Sequence, residues 1–431
     1  MSDLNELSAV EAARRIADGA VTSEDLVAAC LARIEAREDA VGAWQYLDAD
    51  AALAEARTRD GEAPKGPLHG LPVGVKDLID TADMPTTYGS PIYADHRPTA
   101  DAPCVVALRA AGAVILGKTV TTEFAVFKPG KTRNPHDLAR TPGGSSSGSA
   151  AAVVDRMIPL ALGTQTAGSV IRPAAFCGAV GYKPSFGAID MDGIKDDAPV
   201  LDTLGVFARS VADAALLAQA MALPGTGLAA VDAGALDGDA PRVGLCRTPQ
   251  WDRAEAAQRS ALEDLCERLA AAGAEVDEAP TPPDFDGLAD AQDDVMWAGL
   301  ARSLAPERRD HADLLSDLLR QKIDAGAALA PERVAAAEAL AVTCRDQLDA
   351  LFGERDVIIA PPSPGEAPDA ATTGDPLFNR MWNLLRVPAL TLPVAKGPAG
   401  LPIGAHILAR PGDETVLLRA AHWIERACGP I

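Results

Sequence analysis

Two stretches show the same order of hydrophobic patterns: PCVVALRAAGAVILG, residues 103–117, and SGSAAAVVDRMIPLALGT, residues 147–164. In each, an alanine-rich segment with helical spacing of its apolar residues is followed by a short apolar run typical of a buried strand. Helices that alternate with buried strands favour a sheet that is covered by helices on both faces. We therefore predict an α/β fold: one large domain with a mixed, mostly parallel, twisted β-sheet.

The sequence on either side divides the chain into segments, but no internal repeat or low-complexity linker divides it into separate domains. Thr22, followed three residues later by Asp25, forms a capping pattern that predicts a helix packed on the core through Leu26, Cys30 and Ile34. A strand-helix-strand unit is visible in the alanine- and acid-rich part of the chain, from RVGLC to AEVDEA. The predicted boundaries within the single domain 1–431 are 1–65 for an N-terminal helical segment, 66–223 for a catalytic core, 224–355 for a variable helical region, and 356–431 for C-terminal strands and a helix that complete the core.

Composition excludes several classes of function. The chain has 431 residues, of which 48% are hydrophobic, and its 61 acidic against 39 basic residues give a net charge of -22. This charge repels nucleic-acid phosphates and anionic lipids, and no apolar run approaches the roughly 18 residues that a membrane span needs. The seven cysteines contain no CxxC pair, so they indicate reduced, packed thiols without a metal site. With an acidic start that does not resemble a secretory signal, these features predict a cytoplasmic protein.

Two short motifs resemble sites of other enzyme classes. GAVILGKT, residues 112–119, matches the phosphate-loop spacing, but the four residues between its glycines are apolar and belong to a strand, not to a turning loop. GSSSG, residues 144–148, matches a nucleophile elbow, but it follows a polar loop where an elbow would follow an apolar strand. None of the six histidines lies in a recognisable motif, which leaves an esterase or peptidase with a histidine base as a rival without sequence support.

The segment TQTAGSVIRPAAFCG, residues 164–178, is the better candidate for a nucleophile. Small residues before Ser169 can expose successive backbone N–H groups, as an oxyanion hole requires. A serine needs a base, and a lysine in an apolar environment can supply one because burial lowers its pKa. Lys76 in PLHGLPVGVKDLID, residues 67–80, fits this description better than Lys118 or Lys183, although spacing alone does not decide among the three lysines.

The blocks PLHGLPVGVKDLID, TPGGSSSGSAAAV, LGTQTAGSVIRPAAFCGAVGYKP and GVFARSVADAA resemble the amidase signature family in order, spacing and content. The resemblance covers most of the chain from about Pro67 and is weakest across residues 224–355. It implies a catalytic triad in which Ser169 attacks the amide carbonyl and Ser145, after a cis peptide bond, relays the proton to neutral Lys76. It also implies an oxyanion hole made by the backbone N–H groups of four residues, Thr166, Ala167, Gly168 and Ser169.

The sequence departs from the usual family pattern around the nucleophile. Members commonly have TDTGGS where this chain has TQTAGS, so Gln165 replaces an acid and Ala167 replaces a glycine. If position 167 required a positive φ, alanine would be strained there. Arg172 follows the nucleophile by three residues instead of two, and two interpretations stay open: a structural ion pair, or binding of a substrate carboxylate. Gly143 and Gly144 are further candidates for substrate binding.

The function implied by the resemblance is hydrolysis of a small carboxylic amide through a serine acyl-enzyme, with no metal and no organic cofactor. One alternative is the glutamine-hydrolysing A component of a tRNA-dependent amidotransferase, which would need partner subunits. Another is a non-catalytic binding protein on the same scaffold, but the presence of all three triad side chains argues against it. The expected partners are a small amide substrate and at most a second copy of the chain as a homodimer, with no nucleic acid and no membrane.

Overall fold

The computed structural model describes residues 3–429, and within them the chain forms eleven β-strands and fifteen α-helices. The strands are β1 (Trp44–Leu47), β2 (Pro72–Lys76), β3 (Val114–Thr119), β4 (Leu160–Gln165), β5 (Val180–Lys183), β6 (Thr203–Ala208), β7 (Arg242–Leu245), β8 (Glu275–Glu278), β9 (Val357–Ala360), β10 (Ala389–Lys396) and β11 (Pro402–Leu408). The helices are α1 (Ala9–Ala17), α2 (Ser23–Val41), α3 (Ala49–Asp60), α4 (Pro103–Ala110), α5 (Ser147–Val154), α6 (Ile171–Cys177), α7 (Val211–Gln219), α8 (Ala256–Ala271), α9 (Leu288–Ser303), α10 (Ala305–Asp310), α11 (Asp317–Ala327), α12 (Pro331–Asp346), α13 (Leu348–Phe352), α14 (Leu377–Leu384) and α15 (Glu414–Cys428).

All eleven strands of the described chain join one sheet in the order β1-β3-β2-β4-β6-β5-β10-β11-β9-β7-β8. The predicted single α/β domain with a mixed sheet is confirmed. The strands are parallel in two groups, β3-β2-β4 and β9-β7-β8, which contain helix-strand units of the kind recognised in the sequence. Six of the ten pairings within residues 3–429 are antiparallel, so the expectation of a mostly parallel sheet is wrong.

The short connections between the central strands explain this difference. Parallel neighbours need a crossover of a dozen or more residues, usually through a helix. Only residues 397–401 separate β10 from β11, so these two strands form an antiparallel hairpin. The longer connection at residues 184–202 contains no α-helix, and β5 and β6 are also antiparallel.

The N-terminal segment packs on the core as predicted. Thr22 Oγ1 accepts a hydrogen bond of 3.0 Å from the backbone N–H of Asp25, and Leu26, Cys30 and Ile34 are buried along α2. The segment is not wholly helical, because β1 forms the edge of the sheet and pairs antiparallel with β3.

Further along the chain, the predicted strand-helix-strand unit is confirmed as β7, α8 and β8. The C-terminal part contains α14 in addition to the predicted strands and final helix. All seven cysteines are free thiols, and six of them are buried. Among the described residues, no helix combines the length and the apolar character that crossing a bilayer requires.

The predicted catalytic segments lie together at the carboxyl ends of β2 and β4. β2 and β4 are parallel neighbours, so their carboxyl ends, Lys76 and Gln165, lie on the same side. The loop that follows β4 leads into α6, and α5 begins beside the same edge after the serine-rich loop. GAVILGKT forms the buried strand β3, which is incompatible with a phosphate loop.

Candidate active site

Lys76 lies at the end of a buried strand and contacts two hydroxyl groups. It is the last residue of β2, and its side chain is completely buried. Its Nζ lies 2.7 Å from Ser145 Oγ and 2.7 Å from Thr164 Oγ1. The lysine and one of the serines identified in the sequence are therefore in hydrogen-bond contact across 69 residues of chain.

Burial makes Lys76 a candidate base. Loss of solvent lowers the pKa of Lys76 to about 7, while the carboxyls of Asp197 and Asp202 act in the opposite direction. A lysine with this pKa is partly neutral near pH 7, so its nitrogen has a lone pair that can accept a proton.

Burial alone does not distinguish Lys76 from the other two candidate lysines. It lowers the pKa of Lys118 to about 8 and that of Lys183 to about 7. Lys183 Nζ donates to the backbone carbonyls of Pro184 and Val387, and Lys118 Nζ donates to the carbonyl of Ile79 and to a threonine hydroxyl. What separates Lys76 is its contact with Ser145, a side chain that lines a pocket.

The loop before α5 holds Ser145 against Lys76. The Gly144–Ser145 peptide bond is cis, as the resemblance implies. Gly143 has a φ of 82°, and a Cβ at this position would lie 2.6 Å from the Cα of Pro173. Both the backbone conformation and the close approach require glycine. The structure therefore places Gly143 against α6, outside the lining of the pocket.

The loop between β4 and α6 presents Ser169 beside unpaired backbone donors. Ser169 is 9% exposed and lines the same pocket as Ser145. The backbone N–H groups of Ala167, Gly168 and Ser169 have no hydrogen-bond acceptor among residues 3–429. Free donors next to a nucleophile are what a developing oxyanion needs. We call residues 166–169 the oxyanion loop. No hydrogen bond joins the two serine hydroxyls in this structure, and such contacts commonly tighten only when substrate binds.

Two amide side chains hold the backbone carbonyl of Thr166, the first residue of the oxyanion loop. Asn383 Nδ2 donates to the carbonyl of Thr166 at 2.6 Å, and Gln292 Nε2 donates to the same oxygen at 3.0 Å. This carbonyl and the N–H of Ala167 belong to one planar peptide unit, in which they point in opposite directions. Anchoring the carbonyl therefore fixes the direction of the Ala167 N–H. Thr166 Oγ1 is also anchored, because it donates to Asp202 Oδ1 at 2.6 Å.

The two departures from the usual family motif are accommodated. Gln165 Oε1 accepts hydrogen bonds of 3.0 Å from the N–H groups of both Val170 and Ile171, so its amide oxygen satisfies donors at the start of α6 as a carboxylate oxygen could. Ala167 does not have a positive φ. The strain that we considered for an alanine at this position is therefore absent.

One small pocket collects most of the predicted site residues. Ser145, the oxyanion loop and α6 share it with residues from four other parts of the chain. Its lining consists of Thr122, Ala125, Val126, Phe127, Ser145, Thr166, Ala167, Gly168, Ser169, Arg172, Asp197, Met296, Trp297 and Thr373. No histidine is among them, and no group of His, Cys, Asp or Glu within residues 3–429 is arranged to hold a metal ion.

Several of these residues were not identified from the sequence. Met296 and Trp297 come from α9 in the region of weakest resemblance, and Asp197 comes from the connection between β5 and β6. Asn379 and Asn383 on α14 were missed as well, although two amides one helical turn apart in the apolar run LFNRMWNL were a usable signal. Met296, Trp297 and Asp197 carried no such signal and are recognised only because the fold brings them to the pocket.

Arg172 lines the pocket and lacks the ion pair that the sequence allowed. It is 2% exposed and forms no ion pair with any described residue, although the carboxyl of Asp375 lies close enough to favour its charged form. Its Nη2 donates to the carbonyl of Gly144 at 2.6 Å, while its Nε and Nη1 are buried without a partner. Burial lowers the pKa of Arg172 to about 9. Arg172 thus forms no ion pair with the described residues, and two of its donors are left without a partner.

Known proteins are similar to this chain over nearly its whole length. The family model described as "Amidase" matches residues 25–418. The chain is 35% identical to the A component of glutamyl-tRNA(Gln) amidotransferase from Anaeromyxobacter sp. (strain K), in an alignment that covers 100% of this chain and 98% of that protein. The protein of the same name from Chloroflexus aggregans is 34% identical, with 99% and 97% covered.

Solved structures show the same fold. The peptide amidase from Stenotrophomonas maltophilia superimposes with a TM-score of 0.84 at 31% identity, covering 98% of this chain and 97% of the other. A structure described as an amidase gives a TM-score of 0.89 at 31% identity, covering 98% and 100%. Since the family model and these relatives cover almost the entire chain, this protein belongs to the amidase signature family and is an amide-cleaving hydrolase.

Proposed function

We propose that the protein hydrolyses a small carboxylic amide through an acyl-enzyme on Ser169, with Ser145 as proton relay and Lys76 as base. The observation that carries this proposal is the 2.7 Å contact between Lys76 Nζ and Ser145 Oγ, at the wall of the pocket that Ser169 also lines. A serine is a weak nucleophile unless an adjacent group takes its proton. Within this pocket no histidine competes with the lysine for that role.

In both half-reactions a proton moves between the reacting groups and Lys76 through Ser145. As Ser169 Oγ bonds to the carbonyl carbon, its proton passes to Ser145 Oγ, and the Ser145 proton passes to Lys76 Nζ. The carbonyl oxygen becomes an oxyanion, which the free N–H groups of the oxyanion loop stabilise; loss of one such donor typically costs about 2.7–4 kcal/mol. When the C–N bond breaks, the same relay returns a proton to the leaving nitrogen. Water then attacks the acyl carbon and gives its proton to the relay; the ester bond to Ser169 Oγ breaks, the acid leaves, and the relay returns the proton to Ser169.

The pH dependence should report the lysine. Lys76 must be neutral to accept a proton, and its pKa lies at about 7, so it is charged below that pH and neutral above it. We therefore expect kcat/KM to rise with pH through a midpoint near 7 and to level off on the alkaline side, with about a tenfold loss per unit below the midpoint. Initial rates of ammonia release from pH 5 to 9 measure this. A flat profile over that range would exclude a lysine base.

The substrate that fits the pocket best carries a carboxylate. Arg172 is a buried cation with no carboxylate partner, and a buried charge is stable only when it is paired and hydrogen-bonded. Its unpartnered Nε and Nη1 can donate to an anion in the pocket. Phe127, Met296 and Trp297 give part of the wall an apolar character, and Asp197 is the other ionisable side chain in the lining. We infer a small amide that also bears a carboxylate.

Arg172→Leu tests this inference. In the wild type we expect a carboxylate-bearing amide to be hydrolysed faster than its neutral isostere of equal length. In Arg172→Leu the ratio of the two kcat/KM values should fall by about 10- to 100-fold, as expected for a lost hydrogen bond between charged groups. The ratio is the informative quantity, because Arg172 also holds the carbonyl of Gly144 and its loss will slow both substrates. Equal losses for both would show that Arg172 has only a structural role.

A second candidate function is that of a glutamine-hydrolysing component within an amidotransferase. It is favoured by relatives with 34–35% identity that are named as A components of glutamyl-tRNA(Gln) amidotransferase. Such a component would need partner subunits, whereas an autonomous amidase would act alone or as a homodimer. Turnover of simple amides by the purified chain, with its mass in solution measured under the same conditions, separates the two functions.

A further inference from the structure

Asp197 is an acid in the pocket that the catalytic cycle described above does not use. It lies in the connection between β5 and β6 and lines the same pocket as Ser169 and Arg172. Only 6% of the surface of Asp197 is exposed to solvent. The residue therefore belongs to the pocket wall and not to the open protein surface.

The position of Asp197 is fixed by its neighbour Asp202. Asp202 Oδ2 accepts hydrogen bonds of 2.9 Å from the backbone N–H groups of both Asp197 and Ala198. The other oxygen of Asp202 accepts the hydroxyl of Thr166 at 2.6 Å, at the start of the oxyanion loop. The turn that carries Asp197 is thus connected through the Asp202 carboxylate to Thr166 in the oxyanion loop.

One oxygen of the Asp197 carboxyl has no partner. Oδ1 is completely buried, and no donor within residues 3–429 reaches it. Buried acceptors are nearly always satisfied by protein, water or ligand. Burial, with Asp202 close by, raises the pKa of Asp197 well above its usual value, which favours the neutral carboxyl, so the group suits a hydrogen bond better than an ion pair. The pocket thus has donors without acceptors on Arg172 and an acceptor without a donor on Asp197.

We propose that Asp197 forms a substrate subsite that accepts a hydrogen bond from an N–H group of the substrate. This deepens the proposed amidase function and rests on it. The donor has two sources with the same chemistry: the nitrogen of the scissile amide, or an amino group on the acyl chain. Asp197 is accordingly a residue that determines specificity, and Asp202 is the residue that positions it.

The test compares pairs of substrates that differ by one donor. The first pair is a primary amide and the methyl ester of the same acid, and the second is an amide with a terminal amino group and its analogue with methyl in that place. In Asp197→Leu we expect kcat/KM for the donor-bearing member of one pair to fall by about 10- to 100-fold more than for its partner. A change in the first ratio identifies the scissile nitrogen as the donor, and a change in the second identifies an amino group on the acyl chain.

Two further variants keep the test decisive. Asp197→Asn retains a carbonyl oxygen at the same place, so it should preserve most of the first ratio and lose most of the second. Asp196→Leu alters the exposed neighbour, which does not line the pocket, and should leave both ratios unchanged. If Asp197→Leu folds with an unaltered circular dichroism spectrum and changes neither ratio, the subsite is disproved. Failure of the amidase proposal itself looks different, because the wild-type protein would then hydrolyse neither member of either pair.

Discussion

Ser169→Ala is expected to abolish amide hydrolysis, with kcat lowered by about six orders of magnitude, which is the loss found when a serine hydrolase loses its nucleophile. The reason is its position: Ser169 lines the pocket, it offers three unpaired backbone N–H groups together with Ala167 and Gly168, and the proposed proton route to Lys76 through Ser145 starts at its hydroxyl. Ammonia release from a primary amide measures the loss.

The same variant tests the covalent intermediate. Wild-type protein quenched during turnover of a slow substrate should carry the acyl group on the peptide that contains Ser169, detected by mass spectrometry. Ser169→Ala should carry none, whereas Ser260→Ala, an exposed position on α8 outside the pocket, should behave as the wild type. An acyl group on any other residue, or turnover by Ser169→Ala within tenfold of the wild type, would refute the assignment of the nucleophile.

The sequence predicted those parts of the fold and the site that depend on local pattern. Helical spacing, capping at Thr22 and apolar runs located most of the helices and strands, because each depends on residues close together in the chain. Strand direction was predicted less well. It depends on how the chain returns after each strand, and the connection from β5 to β6 gave no sign in composition that it would bring the next strand back antiparallel.

The site shows the same division between local and distant information. Ser145, Ser169 and Lys76 were predicted from motifs and from the family resemblance, whereas Asp197 and Gln292 lie in sequence without a motif and matter only through their contacts and position. Arg172 illustrates the limit most clearly. Its sequence allowed both an ion pair and a ligand contact, and its two buried nitrogens without a partner support the ligand contact that we propose.

Lys76→Met is expected to lower kcat/KM by about 10³- to 10⁴-fold while the protein stays folded, at the upper end of what a general base contributes. Methionine keeps an unbranched side chain of similar length in the buried site, so the loss of the proton acceptor is the main change. Without it, Ser145 can take the nucleophile's proton only by giving its own to a group that the pocket does not provide. The rise of activity with pH through the pKa of Lys76, about 7, should disappear together with the activity.

Lys183→Met is the matched control, because Lys183 is also buried and its pKa is lowered to the same value of about 7. Its Nζ, however, donates to two backbone carbonyls outside the pocket lining, so this variant should lose thermal stability but keep kcat/KM within a few-fold and retain the pH profile. Equal losses in the two variants would mean that buried lysines support the fold and not the chemistry. A folded Lys76→Met protein with wild-type activity would show that the contact between Lys76 and Ser145 has no catalytic role, since a relay without its terminal base cannot remove the proton from Ser169.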